Sequence, residues 1–251
     1  MEALILRLDA PLMSFGGVMI DQHGVIDRFP GHALLTGLIG NALGWRHGDG
    51  ERLVALQARL RLAARWDVRP KRIVDYHTAD LGQPKMKGYS PGKEPAAWTT
   101  RGTTEGRGSG DATKGTHIRY RHYWSDGLMT LALALTDAPG PSLTVVHEAL
   151  RRPARPLFLG RKTCLPARPL LDPVTPVATG PTLRSILSSV PRWGRDGEVL
   201  TGQAACEACW PAGEGGGASR RVADRRDWRA NLPTGSSLRI EGPLATGEEP
   251  A

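Results

Sequence analysis

The sequence predicts an α+β fold, because segments with the period of a β-strand alternate with segments with the period of an α-helix. Between Leu4 and Asp9, leucine occupies every second position, as in a strand. Between Pro30 and Leu43, apolar residues recur at helical spacing. Residues 1–170 continue in the order strand, helix, strand, hairpin strand, helix, strand, which is the ferredoxin-like pattern.

The first strand is expected to bury one face, because Arg7 and Asp9 interrupt the other. Pro30 opens the first helix, since proline suits the first helical position. Three glycines between residues 37 and 44 fall on one side of that helix. Each mid-helix glycine costs about 1 kcal/mol relative to alanine. They therefore indicate either close approach by a neighbouring backbone, another chain or an RNA, or tight packing on both sides of the helix.

Hydrophobic periodicity predicts the next elements up to residue 80. Glu51–Gln57 is predicted to be helical, Leu60–Val68 to be a strand, and Ile73–His77 to extend or pair with it. Residues 81–115 then lose hydrophobic periodicity and are rich in glycine, lysine, threonine and arginine. An insertion of this length without a core pattern is usually functional or disordered.

Regular structure is predicted to return at Ile118–Trp124. Asp126–Gly127 is a two-residue hairpin signal, and the nearly all-apolar run Leu128–Leu135 follows it as a strand. Pro141 begins a second helix, and the apolar run Leu157–Leu159 predicts a short buried strand. Helices would cover one face of this sheet and leave the other available.

A proline-dense stretch, residues 166–181, separates this domain from the remainder. The remainder contains a short predicted helix, Leu183–Val190, and turn-rich sequence around Gly213–Gly217. We therefore predict a ferredoxin-like domain over residues 1–170 and a small, mostly β C-terminal domain over residues 171–251.

Composition favours an acidic partner. The chain has 251 residues and a net charge of +8, which is typical of proteins that bind nucleic acid or an anionic surface. No run approaches the 18 or more apolar residues of a membrane span, so no membrane partner is expected. Glu2 stands where a signal peptide would be basic, which favours a cytoplasmic location.

The three cysteines do not predict a metal site. Cys206 and Cys209 have CxxC spacing, but the sequence offers no second ligand pair, and a structural zinc site needs four ligands. An odd number of cysteines also argues against a disulfide framework. We expect two incidental thiols, no metal and no cofactor.

The turn after Leu159 is the strongest candidate binding feature. Gly160 ends an apolar run and is followed at once by the cations Arg161 and Lys162. Glycine can take a positive φ or let another backbone approach closely. Backbone N–H groups and two cations presented together suit a phosphate chain. The alternative is an ordinary strand-end turn with solvated cations.

The segment Arg119–Trp124 alternates cations with aromatic residues. On one face of a strand, Arg119 and Arg121 would contact phosphates while Tyr123 stacks on a base, a common division of labour for single-stranded RNA. The other face is expected to point to the core, and it carries Tyr120, His122 and Trp124.

Other candidates surround the first strand and the insertion. Glycines permit close backbone approach, and a helix N-terminus is a natural phosphate site. On this basis Ser14, Gly16 and Gly17 after the first strand, and Arg28 before the first helix, are candidates. The insertion adds six cations, namely Lys85, Lys87, Lys93, Arg101, Arg107 and Lys114.

Residues Arg155–Pro166 resemble the signature PLFLGRKxCxP of the CasD family, the guide-RNA capping subunit of the type I-E Cascade complex in CRISPR defence. Four further stretches agree with the family in the same order. They are Ala10–Gly17, Leu35–Gly44, Asp75–Asp80 and Arg119–Trp124. The resemblance covers residues 1 to about 170, and the last 80 or so residues carry no matching motif.

The resemblance implies an RRM-like, RAMP-type ferredoxin fold in which residues 81–115 form a thumb-like hairpin insertion. It implies a non-catalytic subunit that binds the 5′ handle of the guide RNA and supports recognition of target DNA. The implied partners are the guide RNA, the backbone subunit CasC, the large subunit CasA and, indirectly, target DNA, with no small-molecule substrate. The candidate RNA-binding residues are Ser14, Gly16, Gly17, Arg28, Lys85, Lys87, Arg107, Arg119, Arg121, Gly160, Arg161 and Lys162.

Two other functions stay open at this point. One is a metal-independent endoribonuclease that processes CRISPR repeat RNA, for which His32 and His77 are the best-placed acid–base candidates. Nothing in the sequence pairs those two histidines, so we expect no catalysis. The other is a general basic RNA-binding module outside CRISPR.

Overall fold

The computed structural model describes residues 1–17, 19, 21–80, 96–98, 104–106, 116–202 and 204–246, with side chains left out at 78–80, 96–98, 104–106 and 116–117. The chain divides into two compact units. The main unit comprises residues 1–18, 26–73 and 123–251, and the small unit comprises residues 19–25 and 74–122.

Four helices and seventeen strands make up the described chain. The helices are α1 (His32–Ala42), α2 (Gly50–Arg59), α3 (Leu143–Arg151) and α4 (Leu183–Ser189). The first strands are β1 (Glu2–Asp9), β2 (Leu12–Met13), β3 (His23–Gly24), β4 (Leu60–Val68), β5 (Lys71–Asp80), β6 (Ala96–Trp98), β7 (Thr104–Gly106), β8 (Thr116–Ser125) and β9 (Leu128–Leu135). The later strands are β10 (Val177–Thr179), β11 (Arg192–Trp193), β12 (Val199–Leu200), β13 (Ala204–Pro211), β14 (Ala218–Val222), β15 (Arg226–Asp227), β16 (Leu232–Pro233) and β17 (Ser237–Thr246). No helix of the described residues is long and apolar enough to cross a membrane.

The main unit is built on a seven-stranded sheet in the order β10-β1-β9-β4-β13-β17-β14. Every neighbouring pair in it is antiparallel. Strands from the C-terminal third therefore extend the sheet that the N-terminal residues begin. The predicted boundary at residue 170 is wrong, because residues 171–251 complete this sheet and form no separate domain.

Both faces of this sheet are buried, which corrects the expectation that one face stays available. On the first face, Leu4, Leu6 and Leu8 of β1 pack in a large core with residues of α1 and α3. On the second face, Ala3 and Ile5 pack in a separate core with α4. The sequence assigned the second face to solvent because Arg7 lies on it, yet Arg7 is also buried.

Small residues on the second face explain how α4 can lie against it. Ala63, Ala132 and Ala208 come from three adjacent strands and are all buried in the α4 core. Without larger side chains there, Leu183 and Ile186 of α4 reach the sheet and are fully packed. Close packing of this kind leaves no room for a base on the central strands.

A buried ion pair anchors the remaining part of the second face. The Arg65 Nε donates to Asp67 Oδ1 at 2.7 Å, and neither side chain is exposed. Arg65 also donates to the main-chain carbonyls of Leu187, Val190 and Pro191 at and beyond the end of α4. These contacts tie β4 to the segment that leaves α4.

The partners of Asp67 extend this network in two directions. Asp67 Oδ2 accepts a hydrogen bond from Thr130 Oγ1 of β9 at 2.6 Å and one from the Trp193 N–H of β11 at 3.1 Å. Next to it, the Arg7 guanidinium lies 4.0 Å from the centroid of the Trp193 ring, and burial lowers the pKa of Arg7. The Trp193 indole in turn donates to Asp172 at 2.8 Å.

The glycines of α1 serve packing within the chain. A Cβ at Gly40 would lie 2.7 Å from Leu53 of α2, and one at Gly37 would lie 3.4 Å from the ring of Trp228. Gly44 follows the helix with a φ of +78°, as glycine commonly does after a helix C-terminus. Tight packing of the helix is therefore the explanation that the structure supports.

Most predicted elements are present, but three strand predictions are wrong. Ile73–His77 neither extends nor pairs with β4, because it lies in β5, which pairs with β8 in a different sheet. Leu157 and Leu159 are buried, but the segment forms no strand, because the Leu159 N–H donates to the Cys164 carbonyl within its own loop. The edge strand next to β1 is instead β10. Asp126–Gly127 is a tight turn with φ of +56° at Asp126, yet β8 and β9 belong to different sheets and do not form a hairpin.

In the small unit, β8 is the central strand. Tyr120–Arg121 of β8 pairs in parallel with His23–Gly24 of β3, and β5 pairs with β8 as well. Within the region 81–115, β6 and β7 form an antiparallel pair from Ala96↔Gly106 to Trp98↔Thr104.

We expect Asp67→Ala to lower the free energy of unfolding by about 3–5 kcal/mol, because it leaves the Arg65 charge buried without its partner. Urea denaturation monitored by tryptophan fluorescence would measure the shift in midpoint. Asp137→Ala is the matched control, since Asp137 is exposed and its loss should change stability by less than about 0.5 kcal/mol. Equal effects of the two substitutions would contradict a structural role for the buried pair.

Candidate nucleic-acid interface

The loop Leu159–Cys164 is held against the segment after β1 by direct backbone contact. The Ser14 N–H donates to the Leu159 carbonyl at 3.0 Å. Gly160 has a φ of +108°, and a Cβ there would overlap the Ser14 carbonyl oxygen and lie 2.8 Å from its carbon. Both properties expected of this glycine are therefore present at once. Only glycine fits this position without displacing Ser14.

Hydrogen bonds inside the loop give it a fixed shape. The Leu159 N–H donates to the Cys164 carbonyl at 2.8 Å, and the Cys164 N–H donates to the Arg161 carbonyl at 2.8 Å. The Cys164 side chain is fully buried, and burial raises the pKa of its thiol. The cysteine therefore anchors the loop in the core, while Gly160 and Lys162 are exposed and Arg161 is half-buried.

The two cations of the loop differ in how they are held. The Arg161 guanidinium lies 4.7 Å from the centroid of the Tyr123 ring, which is itself buried. Such a cation–π contact is worth about 0.5–1 kcal/mol at a partly exposed site and restricts the arginine. Lys162 is exposed, and no acidic residue among the described ones pairs with it. The loop therefore presents one oriented positive charge and one exposed positive charge.

Arg155 precedes the loop Leu159–Cys164 and is held just beyond the C-terminal end of α1. Its guanidinium donates to the Trp45 carbonyl at 2.9 Å and to the Gly44 carbonyl. The Asn41 side chain of α1 donates back to the Pro156 carbonyl at 2.5 Å. Arg155 therefore bonds carbonyls just beyond α1, and a cation near the C-terminus of a helix suits its dipole.

The segment after β1 is ordered by its pairing with residues before α1. Gly16 forms an antiparallel bridge with Ile26, and the Asp27 N–H donates to the Phe15 carbonyl at 2.6 Å. Ser14 is buried, whereas Gly16 and Gly17 are exposed. Of the three candidates in this segment, Ser14 serves the docking of the loop and the two glycines face an open pocket.

This pocket, which we call the Asp224 pocket, has a volume of about 110 Å³. Its walls combine apolar and charged side chains. They include Phe15, Gly16, Asp27, Phe29, Asp224 and Arg225. Burial raises the pKa of Asp27, partly offset by Arg239 and Arg220. Burial alone would raise the pKa of Asp224 as well, but hydrogen bonds from His32 and Ser237 hold it below its ordinary value.

The N-terminus of α1 is already occupied by a carboxylate. The His32 N–H donates to Asp224 Oδ2 at 3.1 Å, and the Ala33 N–H donates to the Asp224 carbonyl at 2.8 Å. The expected phosphate site at this helix end is therefore wrong, because Asp224 caps it. Arg28 is also engaged, in a 3.5 Å ion pair with Glu207.

In the small unit, the face predicted to be in the core carries an aromatic cluster. Tyr120 stacks on His23 with 4.7 Å between ring centroids and an interplanar angle of 9°. Tyr76 meets the Tyr120 ring edge-on at 5.5 Å, and Tyr76 is 54% exposed. Arg121 is exposed, and Arg119 is half-buried with its guanidinium bonded to its neighbour's carbonyl.

The position of Tyr123 differs from the prediction made for this strand. It was expected to stack on a base, but it is 2% exposed and belongs to the large core of the main unit. Trp124, expected in the core, is half-buried and donates to the Asp27 carbonyl at 2.8 Å. The alternation of β8 was recognised, but alternation alone does not say which face is buried.

Lys85, Lys87 and Arg107 lie outside the described residues.

The C-terminal arginines were missed by the sequence analysis. Five arginines fall within the ten residues 220–229, a density that could have drawn attention to this segment. Arg220, on the edge strand β14, pairs with Asp27 at 3.0 Å and with Glu241 at 3.4 Å. These contacts bring the C-terminal segment to the rim of the Asp224 pocket.

The two histidines considered as acid–base candidates each contact a carboxylate. His32 Nδ1 lies 2.7 Å from Asp224, and the His32 side chain is 13% exposed. His77 pairs with Asp75 in the small unit. Both histidines therefore have a carboxylate neighbour, which orients the ring and occupies one of its nitrogens.

Cys206 and Cys209 lie three positions apart on β13, so their side chains point to opposite faces of the sheet. Burial raises the pKa of both thiols, and that of Cys209 reaches about 12. Such thiols are poor metal ligands because the thiolate is the binding form. Within the part of the chain that the structure describes, no group of three or more His, Cys, Asp or Glu could hold a metal ion.

Comparison with known proteins places this chain in a class of CRISPR proteins. Residues 3–240 match the family described as CRISPR-associated protein (Cas_Cas5), and this protein belongs to that family. The CRISPR system Cascade subunit CasD of Escherichia coli (strain K12) is 26% identical to it over 175 residues. That alignment covers 66% of this chain and 68% of CasD. These matches confirm the resemblance that the sequence motifs indicated.

Two solved structures share the fold. One, described as a CRISPR RNA-guided surveillance complex, superimposes with a TM-score of 0.68 at 22% identity, over 97% of this chain and 90% of that chain. The other, described as a Cas protein, has a TM-score of 0.58 at 22% identity, over 96% of this chain and 94% of that chain. The fold is therefore a mixed α+β fold that Cas proteins share.

We expect Gly160→Ala to destabilise the protein by about 2–6 kcal/mol. The positive φ costs about 1–3 kcal/mol for a residue with a side chain, and displacing the Ser14 carbonyl costs about 1–3 kcal/mol more. Thermal and urea unfolding would measure the loss. Gly213→Ala is the matched control, because Gly213 has a φ of +95° with nothing within 4 Å of its Cβ position. If both variants lose the same stability, the close approach of Ser14 contributes nothing.

Proposed function

We propose that this chain is a non-catalytic subunit of a CRISPR surveillance ribonucleoprotein that binds and caps the 5′ handle of the guide RNA. The observation that carries the proposal is the Gly160–Lys162 loop in a member of the CRISPR-associated family. The loop is docked on Ser14 and presents Arg161 and Lys162 outward from a fixed backbone. The net charge of +8 supports an anionic partner.

In this proposal the loop contacts the phosphates of the handle. Arg161 is oriented by the Tyr123 ring, so it loses little side-chain entropy on binding. Lys162 adds a second charge that can follow the strand. Phosphate contacts position the RNA without reading its bases, so this loop supplies affinity and register. Arg121, exposed on β8, is a further candidate for a phosphate contact.

The partners that we propose for this chain are inferred from its relative CasD. CasD of Escherichia coli is a subunit of Cascade. By analogy, we propose that this chain contacts the backbone subunit CasC and the large subunit CasA, and that it supports target DNA recognition indirectly. Base pairing with the guide reads the target, and the protein subunits hold the frame. Residues 81–115, with Lys85, Lys87 and Arg107, are the proposed thumb-like contact with guide and backbone subunit.

Four neighbouring strands at the β10 end of the main sheet support a ferredoxin-like, RAMP-type origin. In chain order, β1, α1, β4, β9, α3 and β10 follow the strand–helix–strand–strand–helix–strand pattern. These four strands are neighbours in the order β10-β1-β9-β4. The strands β13, β17 and β14 would then be an extension of this unit on the β4 side.

The absence of catalysis is part of the proposal. Metal-independent RNA cleavage needs a base for the 2′-hydroxyl and an acid for the leaving oxygen. His32 is largely buried, and its Nδ1 is engaged by the carboxylate that also caps α1. A ring held in this way stabilises the fold and reaches an RNA backbone poorly. This supports a capping subunit over a guide-processing endoribonuclease.

The RNA that copurifies with the protein from native cells tests the proposed function. We expect a population of one length whose 5′ end is a constant, repeat-derived segment.

The same preparation tests the absence of catalysis, because added repeat RNA should stay uncut without metal. A mixture of unrelated cellular RNAs would favour a general RNA-binding module. Cleavage at one position that His32→Ala or His77→Ala abolishes would favour the endoribonuclease.

Replacing both loop cations, Arg161→Ala with Lys162→Ala, should weaken binding of a handle-length RNA. For single strands the log–log salt slope changes by about 0.7 per phosphate contact, so the slope should flatten by roughly 1.4. Fluorescence anisotropy over a range of salt concentrations would measure it. Base preference should change little, because phosphate contacts do not specify sequence.

The matched control is Arg151→Ala with Arg152→Ala, which removes the same charge from exposed positions at the end of α3. This variant should keep the slope of the wild-type protein. If both double variants flatten the slope equally, the effect comes from overall charge, and the loop has no specific role.

A further inference from the structure

The small unit has an aromatic cluster on one face of its sheet. The rings belong to Tyr76 of β5, Tyr120 of β8 and His23 of β3, and β8 pairs with both of the other strands. His23 is the cross-strand partner of Tyr120, and their stacked rings stand side by side. His23 and Tyr76 are exposed, and Tyr120 is half-buried. The cluster therefore lies at the surface, unlike the two buried faces of the main sheet.

Tyr76 is the ring of this cluster that a ligand can reach. Tyr120 already contacts two rings, because it stacks on His23 and meets Tyr76 at an angle of 61°. An edge-on contact of this kind covers at most one face of the Tyr76 ring, and 54% of the residue is exposed. Tyrosine also loses little conformational entropy on binding, because it has only two side-chain torsions. Tyr76 therefore offers an accessible ring face next to a fixed neighbour.

The nearest neighbour of Tyr76 on the same face of β5 is apolar. Val74 lies two positions before Tyr76, so the two side chains share a face, and Val74 is 52% exposed. Asp75 and His77 lie on the opposite face, where they pair with each other. Large apolar side chains that are exposed side by side often mark an interaction site. Val74 and Tyr76 together form such a surface, which is small and flat.

The size and the charge of this surface favour a nucleobase over a protein. A stable protein interface takes about 20–30 residues a side, whereas the exposed residues described on this face are chiefly Val74, Tyr76 and His23. A base needs only one ring to stack on, and unpaired RNA bases are commonly packed on tyrosine or histidine. The sequence of the small unit also holds eight lysines and arginines against six acidic residues, which favours an anionic partner.

We propose that the exposed ring of Tyr76 stacks on one unpaired base of single-stranded RNA. Every base has a π-face, so the contact adds affinity with little preference for sequence. Tyr120 and His23 are positioning residues in this proposal, because their stack supports the inner edge of the Tyr76 ring. The inference rests on the proposed function, since it assumes that the chain binds single-stranded RNA.

The test measures binding of an all-adenosine RNA of twelve nucleotides to the full-length protein, by fluorescence anisotropy at several salt concentrations. We expect Tyr76→Ala to weaken binding about tenfold, the effect of about 1.4 kcal/mol. The log–log salt slope should stay that of the wild-type protein, because loss of a stacked base changes no phosphate contact. The double variant of the Gly160 loop, by contrast, should flatten the slope.

Three further variants show whether the ring itself is responsible. Tyr76→Phe keeps the ring and should bind within about twofold of the wild-type protein. Tyr76→Leu keeps apolar bulk without a ring and should lose most of the affinity that Tyr76→Ala loses. Val74→Ala is the matched control, because it removes an exposed apolar side chain from the same face of β5 but no ring. It should bind within about twofold of the wild-type protein, and urea unfolding of each variant checks that it is folded.

The outcomes separate this inference from the proposed function. If the wild-type protein binds the RNA with a steep salt dependence and Tyr76→Ala binds equally well, the inference is wrong and the proposed function stands. Absence of RNA binding by the wild-type protein would overturn both. Equal losses in Tyr76→Phe and Tyr76→Ala would assign the effect to the hydroxyl group and contradict stacking. If Tyr76→Ala keeps its RNA affinity but no longer copurifies with another protein subunit, the surface binds protein instead of a base.

Discussion

The architecture of the main unit depends on the buried pair Arg65–Asp67. Arg65 fastens β4 to the carbonyls at the end of α4, and Asp67 fastens it to β9 and β11. Two buried charges are costly to desolvate, and they are tolerated here because nearly every donor and acceptor is used. The pair therefore fixes the segment that leaves α4 against β4. From that segment onward the C-terminal residues are directed back to the sheet.

Because α4 covers the second face of the sheet, the candidate binding residues lie away from the central strands. The alanines under α4 exclude a base from the central strands, so the candidate interface lies in loops around the ends of β1 and α1. The Gly160 loop and the segment from Ser14 to Gly17 lie against each other there. In the proposed function, the two cations of the loop contact the phosphates of the RNA.

The helices, and the strands β1, β4 and β9, could be predicted because their periodicity is strong and local. The family could be recognised because the Arg155–Pro166 motif is specific, and its glycine was correctly assigned an unusual backbone conformation. The second core could not be foreseen, since Arg7 indicates a solvent-facing side until α4 and Trp193 are seen to cover it. The Asp224 pocket was equally hidden, because it joins residues about 200 positions apart. Such long-range contacts leave no periodic trace in the sequence.

The two ends of the main sheet have a consequence for the behaviour of the protein at high concentration. A sheet edge exposes unpaired main-chain groups that can template pairing with another molecule. At one end β10 is only three residues long and follows a proline, so it offers little to extend. At the other end β14 carries Arg220 and Arg221 on an exposed strand. Arg220 is compensated by Asp27 and Glu241, but Arg221 is exposed, so two copies meeting there would bring two Arg221 guanidinium groups together, and this repulsion opposes self-association into fibres.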